Sequence, residues 1–233
     1  MRSGCTILIA GSRQGVGRAL AEHYTSVGHR VFGLSRGASD LVHPQYHHIC
    51  ADVTKEETLK PAFAQIADAG ALHVLIFSAA IASPGHSLLI RNSQAEEVLR
   101  TNLFGAFLVS RHALRLMKRT KFGRLIYFSS IAVPLGSAGS AVYGASKAGL
   151  EQLAFSLSHE FAADDITFNT IGISTFASPM LDLITEKAQN EARAALLKKD
   201  AVQVDELAGA INFFASDAAR QITGQSIYFG GVR

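Results

Sequence analysis

A chain of 233 residues with 48% hydrophobic side chains and mean hydropathy +0.19 can bury one substantial core, so one α/β domain over residues 1–233 is expected. The 22 Lys and Arg are scattered among 19 Asp and Glu, leaving a formal charge of +3 without a basic stripe, which argues against nucleic acid as a partner. The start, MRSGCTILIAGSR, has too short an apolar run for a secretory signal, and no later segment approaches the roughly 18 apolar residues of a membrane span, so no membrane contact and a cytoplasmic location are expected.

The first predicted strand, CTILIA, leads through a glycine turn into a helix from Val16 to Val27. The strands HRVFGL and HHICAD follow, then a helix from Thr58 to Ala69 and the strand LHVLIF. A long helical stretch from about Asn92 to Lys118 opens the second half, followed by GRLIYFS, a helix from about Val142 to Ala163, ITFNTIGI, two further helical patterns and SIYFGG. Strands this apolar are buried on both faces, which predicts a single doubly wound Rossmann-type domain: a parallel sheet of about seven strands with helices on both faces. Generic amphipathic sequence near 178–199 is expected to form a helical cover over the site. Cys5 and Cys50 lie in separate apolar runs without CxxC spacing and read as reduced, buried packing residues.

Where the first strand gives way to helix, AGSRQGVGRAL places glycines at 11, 15 and 17. Such a turn lets backbone approach a pyrophosphate and points helix N-terminal amides at it, although GxxxGxG is not the common GxGxxG fingerprint. In YGASK, Tyr143 and Lys147 are four positions apart and project from one helix face. A phenol is a weak base at neutral pH, but an adjacent ammonium stabilises the phenolate and brings it toward the working range. His43, His47 and His48 in LVHPQYHHICAD lack convincing ligand spacing, so no metal site is expected.

GSRQGVG, the ADV at 51–53, Asn102, Ser130 and YGASK fall in the order of the classical short-chain dehydrogenases/reductases, and the chain resembles that family over nearly its whole length. It looks most like the 3-oxoacyl-(acyl carrier protein) reductase branch, through RTNLFGAF, GRLIYFSS, YGASKAGL, ITFNTIGISTFASPM and ASDAARQITGQSIYFGG. The resemblance implies that Tyr143 exchanges a proton with the substrate oxygen and that Lys147 also binds the nicotinamide ribose. It further implies that Ser130 polarises the carbonyl and that Asn102 holds a water in a proton relay. Ser129 competes with Ser130, but neighbours on a strand face opposite sides, and the thirteen-residue spacing to Tyr143 selects Ser130.

The same resemblance implies NADPH/NADP as cofactor, met by Gly11, Arg13, Gln14, Gly15, Val16 and Gly17 in the first turn. NAD-preferring members carry a carboxylate near the end of the second strand. Here Ser35 stands in that place, with Arg36 beside it and Arg13 in the glycine turn to pair with a 2′-phosphate. Asp52 and Val53 match the adenine contact; Ser78, Ala79 and Ala80 match the turn after the fourth strand; Ile173 and Ser178 match the carboxamide end. Two departures stand out. FSAA replaces the usual NNAG, removing the amide that stabilises the central strand and adding a methyl group near the cofactor path. ISTFASPM lacks the usual proline and glycine, having Ile173 and Ser174 instead.

The expected activity is NADPH-dependent reduction of a ketone or 3-oxoacyl thioester, the latter free or on an acyl carrier protein. The alternatives are a secondary-alcohol dehydrogenase using the same site, or a catalytically weak nucleotide-binding regulatory or scaffold protein. Arg115, Lys118, Arg119, Lys121 and Arg124 form a cationic group expected near the site entrance, suited to an acidic carrier, while Asp164 and Asp165 oppose one. The long helices near 92–118 and 142–163 carry Leu103, Phe104, Phe107, Leu108, Leu150, Leu153, Phe155 and Leu157, more than a sheet-facing stripe requires, and a homotetramer is expected.

Overall fold

The computed structural model describes residues 1–2 and 4–232. Strand β1 (Thr6–Ala10) runs into helix α1 (Gly15–Ser26), β2 (Arg30–Ser35), β3 (Tyr46–Cys50), α2 (Glu56–Asp68) and β4 (Val74–Phe77). The second half contains α3 (Asn92–Leu99), a π-helical turn (Arg100–Phe104), α4 (Gly105–Thr120), β5 (Gly123–Ser130) and the short α5 (Ala132–Leu135). It closes with α6 (Ala141–Glu160), β6 (Ile166–Ile173), a 3₁₀ turn (Leu181–Leu183), α7 (Glu186–Ala194), α8 (Val204–Phe214), a second 3₁₀ turn (Asp217–Ala219) and β7 (Gln225–Tyr228). All seven strands are parallel in the order β3-β2-β1-β4-β5-β6-β7. The expected doubly wound sheet is therefore present. Its strand order reverses between β1 and β4, opening a crevice at their carboxyl ends.

Alternation along the strands divides the core into two layers. Leu8 and Ala10, Leu75 and Phe77, and Leu125 and Tyr127 meet α2, α4 and α6 on one face. Ile7 and Ile9, Val74 and Ile76, and Ile126 and Phe128 meet α1 and α8 on the other. Each fully buried aliphatic side chain here contributes about 1.5–3 kcal/mol.

Several expectations change on folding. Cys50, at the end of an edge strand, is exposed, whereas Cys5 is buried as expected. The cover near 178–199 is a 3₁₀ turn and a nine-residue α7 with no buried residue, so the amphipathic pattern does not become one helix. Leu108, Leu150 and Leu157 belong to the core, leaving Phe104, Phe107 and Phe155, at 43%, 39% and 47% exposure, as the apolar surplus on those helices.

The cationic group lies at the wrong end for a site entrance. α4 runs back against the strands, so its last turn and the start of β5 sit at the amino edge of the sheet, and β5 separates Arg124 from Ser130 by about 20 Å. Arg124 is fully buried and pairs with Asp165 at 2.8 Å, and Lys118 pairs with Asp164 at 2.8 Å. The two carboxylates that were expected to repel a carrier are thus engaged by two of the cations expected to attract it. No helix among the described residues is long and apolar enough to cross a membrane.

At the same amino edge, two imidazoles cap the start of β1. His29 Nδ1 accepts the Cys5 N–H at 3.1 Å, and His73 Nδ1 accepts the Thr6 N–H at 2.9 Å. Both rings must be neutral to accept, and burial lowers the pKa of each below the ordinary histidine value. A lowered folded-state pKa gives stability that is complete above the unfolded value of about 6.5 and is lost as pH falls through the folded value. The melting temperature should therefore fall between pH 7.5 and 5.5. The His29→Asn, His73→Asn double variant, which keeps an acceptor at each Nδ1 position that cannot take a proton, should flatten that dependence in thermal melts; an unchanged slope would contradict it.

Candidate active site

The carboxyl ends of β1, β2, β4, β5 and β6 surround one cleft of about 890 Å³. Its wall brings together Gly11, Arg13, Gln14, Gly15, Val16 and Gly17 after β1, Ser35 and Arg36 at the end of β2, and Asp52 and Val53 after β3. Ser78, Ala79 and Ala80 after β4, Ser130 on β5, Tyr143 and Lys147 on α6, and Ile173 and Ser178 complete it. Of the catalytic and cofactor residues expected from the sequence, Asn102 alone stands behind this wall, fully buried.

Close backbone approach makes the turn after β1. A Cβ on Gly11, which has φ +92°, would lie 2.5 Å from the Ala79 nitrogen, so this position admits no side chain. Gly15, at φ +57°, opens α1 and faces Ser178 across the cleft: a Cβ there would lie 3.3 Å from the serine Cβ. Gly17 packs directly on the Gly11 carbonyl and the Ser78 hydroxyl, again without room for a Cβ.

FSAA keeps its turn in place by different atoms. Ser78 Oγ donates to the Ala10 carbonyl at 2.9 Å, and its backbone N–H donates to the same oxygen at 2.9 Å, so the hydroxyl stitches β4 to β1 where an amide was missing. On the far side, Asn102 Oδ1 accepts the Ile81 N–H at 2.9 Å, while its Nδ2 donates to the Ile81 carbonyl at 2.9 Å and to Ser146 Oγ at 3.0 Å. Both amide hydrogens are spent. Oδ1 keeps a second lone pair, so a water at this point could meet the Asn102 side chain only by donating to that oxygen.

Lys147 is buried and donates to the Phe128 carbonyl at 2.7 Å; burial lowers its pKa to about 8. Its Nζ lies 5.6 Å from the Tyr143 ring centroid. Burial also raises the Tyr143 pKa, with the neighbouring Ser130 hydroxyl offsetting part of the rise. This differs from the expectation that the ammonium would bring the phenol down. Tyr143 is half-buried on the cleft wall and Lys147 buried, and for both the loss of solvation around the charged form is the largest influence. Ser129 turns away, donating to Glu151, which also accepts from Tyr228 at 2.6 Å, so strand alternation separates the two serines as expected.

The donor set fits a nicotinamide dinucleotide carrying a 2′-phosphate. No side chain occupies the Gly11 approach, and the β2 end offers a hydroxyl with arginines in place of a carboxylate. The Arg13 guanidinium lies across Gly37, where a Cβ would be 2.5 Å from Nη1, so it reaches the turn carrying Arg36. Asp52 Oδ1 accepts from the Thr54 N–H and hydroxyl at 2.9 and 2.8 Å, which leaves its second oxygen without a bond to Thr54. Ser174 Oγ, on the cleft wall beside Ile173, is buried without a hydrogen-bond partner.

A family model described as enoyl-(acyl carrier protein) reductase matches residues 10–231. The chain belongs to the short-chain dehydrogenase/reductase family. It is 30% identical to the 3-oxoacyl-[acyl-carrier-protein] reductase MabA of Mycobacterium tuberculosis over 97% of this chain and 91% of that one. It is 32% identical to the 3-oxoacyl-[acyl-carrier-protein] reductase FabG of Rickettsia conorii, over 98% and 96%. The ligand-free aldohexose dehydrogenase AldT of Thermoplasma acidophilum shares the fold, with a TM-score of 0.87 at 23% identity over 97% and 92%. This short-chain dehydrogenase/reductase is an NADP-dependent oxidoreductase.

Sequence reasoning passed over Ile81, Ser146 and the Phe128 carbonyl, which hold Asn102 and Lys147 in place. Only the fold brings them near. Asn102→Ala would leave the Ile81 N–H and carbonyl without these partners and should lower unfolding stability by about 2 kcal/mol in urea titration; a loss below about 0.5 kcal/mol would contradict the clamp.

Proposed function

We propose that the protein is an NADPH-dependent reductase of 3-oxoacyl thioesters or related ketones, with Tyr143 as proton donor. The observation that carries this reading is the convergence of Tyr143, Ser130 and the buried Lys147 on the same cleft as the glycine turn. Ile81, Pro84, Met180, Leu181, Leu183 and Ile184 give the cleft an apolar stretch suited to an acyl chain. The names of the mycobacterial and rickettsial relatives point to the same substrate class.

Bound NADPH supplies the hydride. Gly11, Gln14, Gly15, Val16 and Gly17 would hold the pyrophosphate, Asp52 and Val53 the adenine, and Arg13, Ser35 and Arg36 the 2′-phosphate. Ser78, Ala79 and Ala80 would line the ribose path, with Ile173 and Ser178 at the carboxamide. Ser130 donates a hydrogen bond to the substrate oxygen as negative charge gathers there, and Tyr143 transfers its phenolic proton to that oxygen, leaving a hydroxyl product and a phenolate. Lys147, fixed by the Phe128 carbonyl, offers positive charge to that phenolate and a donor to the ribose. A phenol whose pKa is raised stays protonated at neutral pH and so holds the proton that reduction requires. The Ser78 stitch weakens the case for a scaffold that has lost turnover, since the FSAA departure keeps its turn. A carrier-bound thioester would have to dock without the cations at the end of α4.

Tyr143→Phe should lower turnover of a short 3-oxoacyl thioester by about a hundredfold or more. Its NADPH dissociation constant, from nucleotide fluorescence, should change by less than about twofold. Undiminished turnover would overturn the mechanism. The exposed Phe104, Phe107 and Phe155 support association through α4 and α6 as a homotetramer. Light scattering should give four times the chain mass at micromolar concentration, and a monomeric mass would refute it.

A further inference from the structure

The histidines of LVHPQYHHICAD do not converge, and among the described residues no three His, Cys, Asp or Glu are grouped to hold a metal. His47 faces Phe32, with ring centroids 5.3 Å apart, and the His43 ring accepts the Gln45 N–H. His48 points to the other face of β3, alongside Tyr46, and enters a chain of polar contacts beneath the β2 turn. Ser12 Oγ lies 3.1 Å from Tyr46 Oη, which lies 3.0 Å from His48 Nδ1. His48 Nε2 lies 2.9 Å from the Gly37 carbonyl, and Ser35 Oγ donates to that same carbonyl at 2.8 Å.

Chemistry fixes the direction of this chain. A carbonyl can only accept, so His48 carries its proton on Nε2 and donates to Gly37. In the neutral ring Nδ1 then accepts from the Tyr46 hydroxyl, and the tyrosine oxygen is left to accept from Ser12. Gly33 makes the passage possible: lying on β2 between β1 and β3, it has no room for a Cβ against Tyr46 Oη and Ser12 Oγ. Ser12 is fully buried and Tyr46 nearly so, which shields the inner end of the chain from competing water, while His48 and Gly37 at its outer end are half-buried.

Gly37 offers the carbonyl on which this chain ends, at the corner after β2. It follows Ser35 and Arg36, and the Arg13 guanidinium lies against it. We propose that His48 is a positioning residue for cofactor choice: oriented by Tyr46 and Ser12, it holds the Gly37 carbonyl so that Ser35, Arg36 and Arg13 face the 2′-phosphate of NADPH. The inference rests on the reading of that corner as the 2′-phosphate site. A loosened turn would leave the rest of the dinucleotide site in place, so affinity for NADH, which lacks the phosphate, should not follow.

Calorimetric titration of NADPH and NADH tests this on binding alone, with Arg36→Ala as the control for the corner. His48→Phe, which keeps the ring but loses both hydrogen bonds, should weaken NADPH about fivefold to tenfold and NADH less than about twofold. His48→Gln, whose side-chain amide can still donate to Gly37, should recover most of the loss. Tyr46→Phe removes only the hydroxyl that orients the ring and should shift the NADPH to NADH ratio in the same direction by about twofold; it decides the matter if His48→Phe does not fold. Equal losses for both nucleotides, or an unchanged ratio in His48→Phe or Tyr46→Phe while Arg36→Ala lowers it, would overturn the role of His48. A ratio unchanged in Arg36→Ala would overturn the corner itself.

Discussion

A lysine ammonium taken out of water is the constraint around which this site is arranged. Burying a charge requires a strong partner, and Lys147 has the Phe128 carbonyl. That oxygen is available because of where β4 stops. The Arg124 N–H bonds the His73 carbonyl, so even-numbered residues of β5 turn their polar groups toward β4. β4 ends at Phe77 opposite Tyr127, and Phe128 is left facing the crevice without a strand beyond it. Helix α6 delivers Lys147 to this gap and places Tyr143 one turn earlier, while β5 carries Ser130 two residues further on. The meeting of these three side chains is thus a consequence of strand length and helix pitch together.

The opposite wall of the crevice depends on a loop held from both sides. Ser78 ties it to β1, and Asn102 ties Ile81 to the π turn, which lies where α3 passes into α4. Between these clamps the backbone at Ala79 comes so near Gly11 that only glycine fits. A cofactor surface built from main chain at such close range needs this immobility, because a shift of one ångström would close or widen the pyrophosphate path.

Much of this was legible because its signals are local. Apolar strands at regular spacing, glycines at a strand-to-helix turn, and Tyr143 one helical turn from Lys147 each carry their meaning in a short window. What escaped depends on neighbours distant in sequence. The Ser78 hydroxyl substitutes for an amide only because Ala10 lies beside it. His48 matters only through the register that sets Gly33 opposite it on β2. A π turn keeps nearly the helical pattern of its flanks, so the 92–118 stretch gave no sign of one. The cations at the end of α4 were misplaced for a different reason. In a parallel sheet with returning helices, helix carboxyl ends lie opposite the strand carboxyl ends, and that rule alone sends them away from the site.

The central claim is that this crevice reduces a carbonyl with a buried lysine supporting the proton donor. It is tested most directly by the pH dependence of kcat/KM for NADPH oxidation driven by a 3-oxoacyl thioester, which reports groups of the free enzyme. The account predicts substrate-dependent oxidation that is steady below, and declines as pH rises through, about 8, as Lys147 loses its proton. NADPH that binds yet is oxidised by no ketone or thioester, or a rate flat well above that pH, would contradict it.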